Sequence, residues 1–110
     1  MDQNATKSSP IYSTLGNDPD LGELVDMFVE EMPGRVEKIQ NLLQNSQWED
    51  LRRAAHQLKG AAGSYGFLKI SPVAAVLEDK IRGEEPENEI RKAVDSLCDI
   101  CRCARGGSPH

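Results

Sequence analysis

The apolar residues of this sequence recur at helical spacing along most of the chain. The clearest row consists of Leu51, Ala55, Leu58, Ala62 and Tyr65, and its alternating spacing of four and three residues puts these side chains on one face of an α-helix. Other stretches repeat the pattern, and no apolar alternation is long enough to predict a β-strand. Amphipathic helices in one chain must bury these faces against each other, so the sequence predicts an all-α fold.

Proline, glycine and capping residues divide the chain into helices joined by short loops. Asp18 and Pro19 are typical of an N-cap and a first helical position, and Pro33 with Gly34 predicts the end of that helix. A second helix is centred on Ile39. Later starts and stops are predicted at a Ser46–Glu49 capping box, at Pro72, at Gly83, near Pro86 and at Gly106–Gly107. We therefore expect an antiparallel four-helix bundle with a short extra N-terminal helix.

The length of 110 residues is enough for one domain only. We expect residues 11–105 to form the helical bundle, between disordered polar tails at residues 1–10 and 106–110. No apolar run approaches the roughly 20 residues of a membrane span, and no secretory leader opens the chain. The expectation is a cytoplasmic protein without a membrane partner.

The net charge of −5 argues against binding to nucleic acid or to an anionic membrane surface. The sequence also contains neither a phosphate-binding loop of the P-loop type nor a GxGxxG motif. A self-contained enzyme that uses ATP is therefore not expected, and no cofactor is predicted.

Three cysteines, Cys98, Cys101 and Cys103, lie within six residues of each other, which is not the pattern of a disulfide framework. Cys98 and Cys101 have CxxC spacing, and with His110 they leave a metal site open as an alternative. Zinc sites usually take four ligands from two such clusters, so we predict that these cysteines are small apolar residues on a helix.

The segment 51–70 contains four basic residues and no acidic one. At about 100° per residue, Arg52, His56, Lys59, Gly60 and Gly63 share the side of the helix that is turned away from the apolar row. Each glycine costs roughly 1 kcal/mol against alanine in a helix interior. Both lie on the histidine side, where the missing side chains would let a large partner approach the imidazole.

Each of these features is ordinary when taken alone, because exposed histidines, packed glycines and solvated bases are common. Together they describe a site. An exposed imidazole is largely neutral at pH 7 and is then a nucleophile, and Lys59 one turn away can offset the charge of a phosphoryl group. The site lacks a general base, a metal cluster and a nucleotide pocket. It is therefore expected to accept and return a group, as a carrier does.

The run from His56 to Gly66 resembles the H-x-L-K-G-x-x-x-x-x-G signature of histidine-containing phosphotransfer (HPt) domains. The acidic, Phe-containing segment Leu24–Met32, the aromatic Trp48 and the pair Leu77–Glu78 are also similar to the family pattern. The resemblance covers roughly residues 11–105.

The resemblance implies an all-helical bundle whose exposed histidine relays a phosphoryl group in two-component signalling. His56 would be phosphorylated, Lys59 would assist the phosphate, Gly60 would leave room for the partner, and Gly66 would lie at the turn after the helix. The implied partners are a response-regulator receiver domain, which supplies the aspartate and Mg²⁺, and a hybrid histidine kinase. We expect a monomer whose partner contacts include Arg52, Gln57, Gly60 and Gly63; Gly63 and the cysteines are not part of the motif.

Two alternatives to the carrier remain. The chain would be a helical interaction module if it bound a receiver or a kinase without phosphoryl transfer. It would be the dimerising phosphoacceptor region of a histidine kinase if it had the proline that usually follows the histidine there, and this proline is absent. A His56→Gln variant separates binding from transfer.

Overall fold

The computed structural model describes residues 9–107, which form four α-helices and two very short β-strands. In chain order these are β1 (Ile11–Tyr12), α1 (Gly22–Gln44), α2 (Trp48–Ser64), α3 (Ile70–Arg82), α4 (Glu87–Arg102) and β2 (Ala104–Arg105). Residues 1–8 and 108–110, which include most of the two predicted tails and His110, lie outside the described part of the chain.

The four helices pack around a single apolar core. Each helix contacts its neighbours in the chain, and α1 also contacts α4, so the helices close into a ring. The buried face of α2 consists of Leu51, Ala55, Leu58 and Ala62, as the spacing predicts, and Tyr65 packs against this core from the end of the helix. The four-helix fold is therefore confirmed.

The predicted break at Pro33–Gly34 is wrong. Helix α1 runs through both residues, so the first two predicted helices are one element, and residues 9–107 contain no separate extra helix before the bundle. Pro33 lacks the amide hydrogen that would bond to the carbonyl four residues earlier, which costs roughly 3 kcal/mol in a helix interior. Pro33 is exposed, however, and the core-facing row of Phe28, Met32, Val36 and Ile39 continues past it. Burial of that row offsets the cost.

Several predicted helix ends are also shifted. The Asp18 side chain accepts the amide hydrogens of Asp20 and Leu21, but this turn precedes the first residue of α1, Gly22. Ser46 makes no capping bond, because its backbone adopts a positive φ of 55° and α2 begins after Gln47.

The third and fourth helices differ from the prediction as well. Helix α3 starts at Ile70, with Pro72 in its first turn, where amide hydrogens have no helical partner. Helix α4 ends at Arg102, ahead of the predicted stop at Gly106, because the chain then pairs as β2.

The strands β1 and β2 form a parallel pair that joins the two ends of the described chain, with Ile11 opposite Ala104. Beyond β1, the Ser13 hydroxyl donates to the carbonyl of Tyr65, and the amide of Thr14 donates to the carbonyl of Gly66. Gly66 has a φ of +80° and lies in the turn after α2, as the HPt resemblance implies. The N-terminal segment therefore fixes the end of the histidine-bearing helix.

The three cysteines are buried; Cys98 and Cys101 lie on α4, as predicted, and Cys103 follows the end of that helix. Burial raises the pKa of Cys98 to about 11 and that of Cys101 to about 12, so both thiols stay protonated at neutral pH. Within residues 9–107 no group of histidine, cysteine and acidic side chains is arranged to hold a metal, and His110 lies outside this range. No helix in this part of the chain is long and apolar enough to cross a bilayer.

The turn at Gly66 generates a test of the fold. A Cβ at this position would lie 2.6 Å from the hydroxyl oxygens of Ser13 and Thr14, in a left-handed conformation that side chains disfavour. Gly66→Ala should lower the free energy of unfolding by about 1–3 kcal/mol.

Urea unfolding followed by circular dichroism measures this change. Gly34→Ala is the matched control, because a Cβ there meets nothing within 4 Å and alanine favours the helix; it should raise the stability by up to about 1 kcal/mol. Equal stability of Gly66→Ala and the wild type would contradict the assigned turn.

Candidate functional site

His56 lies in the middle of α2, and 58% of its side chain is exposed to solvent. Its exposure agrees with the helical-wheel prediction. The wheel of α2 could not include a further neighbour: the imidazole Nδ1 lies 2.9 Å from Oε2 of Glu78, a residue of α3. The histidine therefore extends along the groove between α2 and α3 and is held there by a carboxylate.

Glu78 is the single buried charged residue within residues 9–107, with 1% of its surface exposed. It lies in the row that α3 buries, among Ala74, Leu77 and Ile81. An isolated buried charge is strongly unfavourable unless opposite charges and hydrogen bonds compensate it. The charged and hydrogen-bonding groups around Glu78 therefore determine the structure of the site.

Three cations compensate this carboxylate. Lys59 Nζ lies 2.8 Å from Oε1, Arg82 Nη2 lies 3.0 Å from Oε2, and Arg52 Nη1 lies 3.9 Å from Oε2. The ammonium of Lys59, and after it the hydrogen bond from His56, holds the pKa of Glu78 below its ordinary value of 4.5, against the opposing effect of burial. We refer to Glu78, His56, Lys59, Arg82 and Arg52 as the Glu78 cluster.

The ionised carboxylate determines which imidazole nitrogen is free. A carboxylate only accepts hydrogen bonds, so Nδ1 of His56 must carry the hydrogen and donate it to Glu78. In the neutral ring, Nε2 then keeps its lone pair. Because the ring is more than half exposed, the nucleophilic nitrogen faces solvent.

The other predicted site residues divide into two groups. Lys59 and Arg52 belong to the Glu78 cluster, and Arg52 also forms a two-point contact with Glu49. Gly60 is exposed one turn beyond His56, and a Cβ there would meet nothing within 4 Å. A Cβ on Gly63 would make ordinary contact with the Ser71 hydroxyl at 3.6 Å. The fold itself requires glycine at neither position.

Gln57 does not join the Glu78 cluster. It is exposed on the side of α2 that faces α1, where it lines a small cavity with Arg35 and Lys38. Gln57 was predicted to contact a partner, but it points about a quarter of a helical turn away from His56.

The sequence reasoning missed Glu78 and Arg82 as site residues. A signal was present, since Ala74, Leu77, Glu78 and Ile81 follow the i, i+3, i+4, i+7 spacing of a buried helix face. An acid in such a row must have a compensating partner in the fold. Arg82 lies four residues after that acid, which is the spacing of an ion pair within a helix.

The chemistry open to this arrangement is narrow. It offers one exposed nitrogen nucleophile, a carboxylate that stabilises positive charge on the ring, and cations that favour an incoming anion. In the part of the chain that the structure describes, no metal-binding group accompanies them. Such an arrangement can form a bond to an electrophilic group that carries negative charge.

The comparisons with known proteins identify one family. A family model described as "Hpt domain" matches residues 23–101, which include α2, α3 and every residue of the Glu78 cluster. No curated protein and no solved structure matches the chain.

The charge compensation of Glu78 predicts how stability depends on pH. Because folding lowers the pKa of this carboxyl, its stabilising contribution is complete well above 4.5 and is lost as the pH falls through the lowered value. Glu78→Gln should cost about 1–3 kcal/mol at neutral pH, because the neutral amide loses the charge-assisted contacts with His56, Lys59 and Arg82. That difference should shrink in acid.

Urea unfolding of both proteins at neutral and acidic pH measures the difference. Glu84→Gln is a suitable control, since Glu84 is exposed and should change the stability by less than about 0.5 kcal/mol. A difference between Glu78→Gln and the wild type that stays constant across the pH range would contradict the assigned compensation.

Proposed function

Because the chain belongs to the Hpt domain family, we propose that it is a phosphorelay intermediate whose phosphoacceptor is His56. Hpt domains take part in phosphotransfer in two-component systems, where they interact with receiver domains and histidine kinases and act as phosphocarriers rather than enzymes. In this proposal His56 takes the phosphoryl group from the aspartate of one receiver, or from a kinase, and passes it to the aspartate of another receiver.

The observation that carries the proposal is the bond between His56 Nδ1 and the buried Glu78. It leaves Nε2 as the nucleophile. The Nε2 lone pair forms a bond to phosphorus while the bond between phosphorus and the aspartate oxygen breaks, and the aspartate leaves as a carboxylate. Positive charge develops on the imidazole ring in this step, and the Glu78 carboxylate stabilises it through the hydrogen on Nδ1.

The remaining charges of the transfer are divided between the two proteins. Lys59 assists the phosphoryl oxygens from the HPt side, and Arg52 adds positive potential one turn before His56. The receiver supplies the aspartate and the Mg²⁺. In this proposal no cofactor is held by the chain itself.

The partner is proposed to dock on the exposed face of α2. Gly60 lies on this face and has no side chain, and the space beside it is open. A flat partner surface can therefore approach Nε2 closely. Arg52, Gly63 and Gln57 would border this contact. Short loops between helices that pack on their chain neighbours support an antiparallel bundle, and a monomer suffices because one chain supplies the whole Glu78 cluster.

A transfer assay tests the phosphoacceptor. Wild type incubated with a radiolabelled phosphoreceiver should gain label that is labile in acid and stable in base, and His56→Gln should gain none. Circular dichroism of both proteins controls for folding. If several phosphoreceivers leave the folded wild type unlabelled but still bind it, the chain is an interaction module without phosphoryl transfer.

Gly60 gives a second test in which stability and activity change in opposite directions. Gly60→Ala should raise the free energy of unfolding by up to about 1 kcal/mol, because alanine favours the helix and meets no neighbour. It should slow transfer from the receiver about tenfold, because the added methyl group separates the two surfaces.

Gly34→Ala on α1 serves as the matched control for this experiment. It should stabilise the helix in the same way and leave the transfer rate unchanged. Wild-type transfer by Gly60→Ala would place the docking surface elsewhere.

A further inference from the structure

The buried carboxylate of Glu78 has more cationic partners than its single charge requires. Lys59, Arg82 and Arg52 all approach it, and of these Arg52 is shared with the exposed carboxylate of Glu49. When His56 is neutral, the three cations face two carboxylates, those of Glu78 and Glu49. One positive charge is therefore in excess. One cation can therefore leave Glu78 while the other cations still compensate the carboxylate.

The two oxygens of Glu78 are not bound equally. Oε2 accepts the hydrogen of His56 Nδ1 and contacts Arg82 at 3.0 Å. Oε1 has the ammonium of Lys59 at 2.8 Å, the shortest contact that a cation makes with this carboxylate. Lys59 and Arg82 thus contact different oxygens of the carboxylate, so Arg82 keeps its contact with Oε2 when Lys59 leaves Oε1.

The placement of the two cations along the chain separates their roles. Lys59 lies three residues after His56 on α2, so its flexible stem can carry Nζ from Glu78 to a group on Nε2. Arg82 lies four residues after Glu78 on α3, so it stays with Glu78 whatever happens on α2.

We infer that Arg82 is the counterion that keeps Glu78 ionised while Lys59 moves to the phosphoryl group on His56. This inference rests on the proposed function. Without Arg82, the departure of Lys59 would leave the buried carboxylate with His56 and the more distant Arg52. Lys59 would then stay on Glu78, or Glu78 would bind a proton and lose the bond that orients His56. Arg82 is a positioning residue, because it acts through Glu78.

A double-mutant cycle on phosphoryl transfer from a phosphorylated receiver tests this role. Arg82→Gln and Lys59→Gln should each slow transfer about tenfold, and the double variant should be no slower than either single variant, because both remove the same rearrangement. Arg82→Lys should recover most of the rate. Arg53→Gln is the matched control, since Arg53 pairs with Asp50 and Glu49 on its own helix and should stay within about twofold of wild type.

A second measurement distinguishes this role from a purely structural one. The ¹³C shift of the Glu78 carboxyl is followed against pH before and after phosphorylation of the protein with phosphoramidate, and the ³¹P signal of the phosphohistidine is recorded at each pH so that only intact phosphoprotein is compared. Before phosphorylation, Arg82→Gln should titrate close to wild type, because Lys59 still compensates Glu78. After phosphorylation, Glu78 of the variant should bind its proton at a higher pH than Glu78 of the wild type.

Two results would overturn the inference. One is a double variant whose loss is the product of the two single losses, since independent effects multiply. The other is a phosphorylated Arg82→Gln variant whose Glu78 titrates as in the phosphorylated wild type. Failure of the proposed function is recognised separately, because the wild type would then accept no phosphoryl group from either donor.

Discussion

A carboxylate in the core of a small helical protein must be compensated, and this requirement organises the functional face of the molecule. Glu78 is 1% exposed, so it draws side chains from the neighbouring helix into fixed positions around it. Lys59 and His56 come from α2, and Arg82 comes from α3 itself. The contact between these two helices therefore joins the core to the reactive nitrogen. The Glu78 carboxylate, which is costly to bury, also holds the imidazole of His56 in one orientation.

The rest of the bundle keeps this pair of helices in register. The end of α2 is fixed by Gly66, whose carbonyl accepts the amide hydrogen of Thr14. Phe28 of α1 packs against Tyr65 and Phe67 on either side of that turn, with ring centroids 5.2 and 5.6 Å away. A shift of α2 along its axis would break these contacts together with the bond between His56 and Glu78. Packing remote from the site thereby limits the freedom of the nucleophile.

Features that depend on one helix at a time were predictable from the sequence. The buried face of α2 and the exposure of His56 both follow from spacing alone. Pro33 was misjudged because a local helix breaker competes with tertiary burial, and burial of the residues on either side is the larger effect. Glu78 was missed as a site residue because its partner His56 lies 22 residues away on another helix. The strand pair escaped detection because two residues are too few to show an alternating pattern.

The parallel pairing of β1 with β2 has an architectural consequence. Paired strands lie about 5 Å apart, and each strand has only two residues, so the entry into β1 and the exit from β2 are close together, at opposite ends of the pair. A unit with adjacent ends can be spliced into a surface loop of a host protein through short linkers, without stretching the host or the guest. By the same geometry, the ends can be joined and the chain reopened at another loop. Either rearrangement would leave the contact between α2 and α3 unchanged.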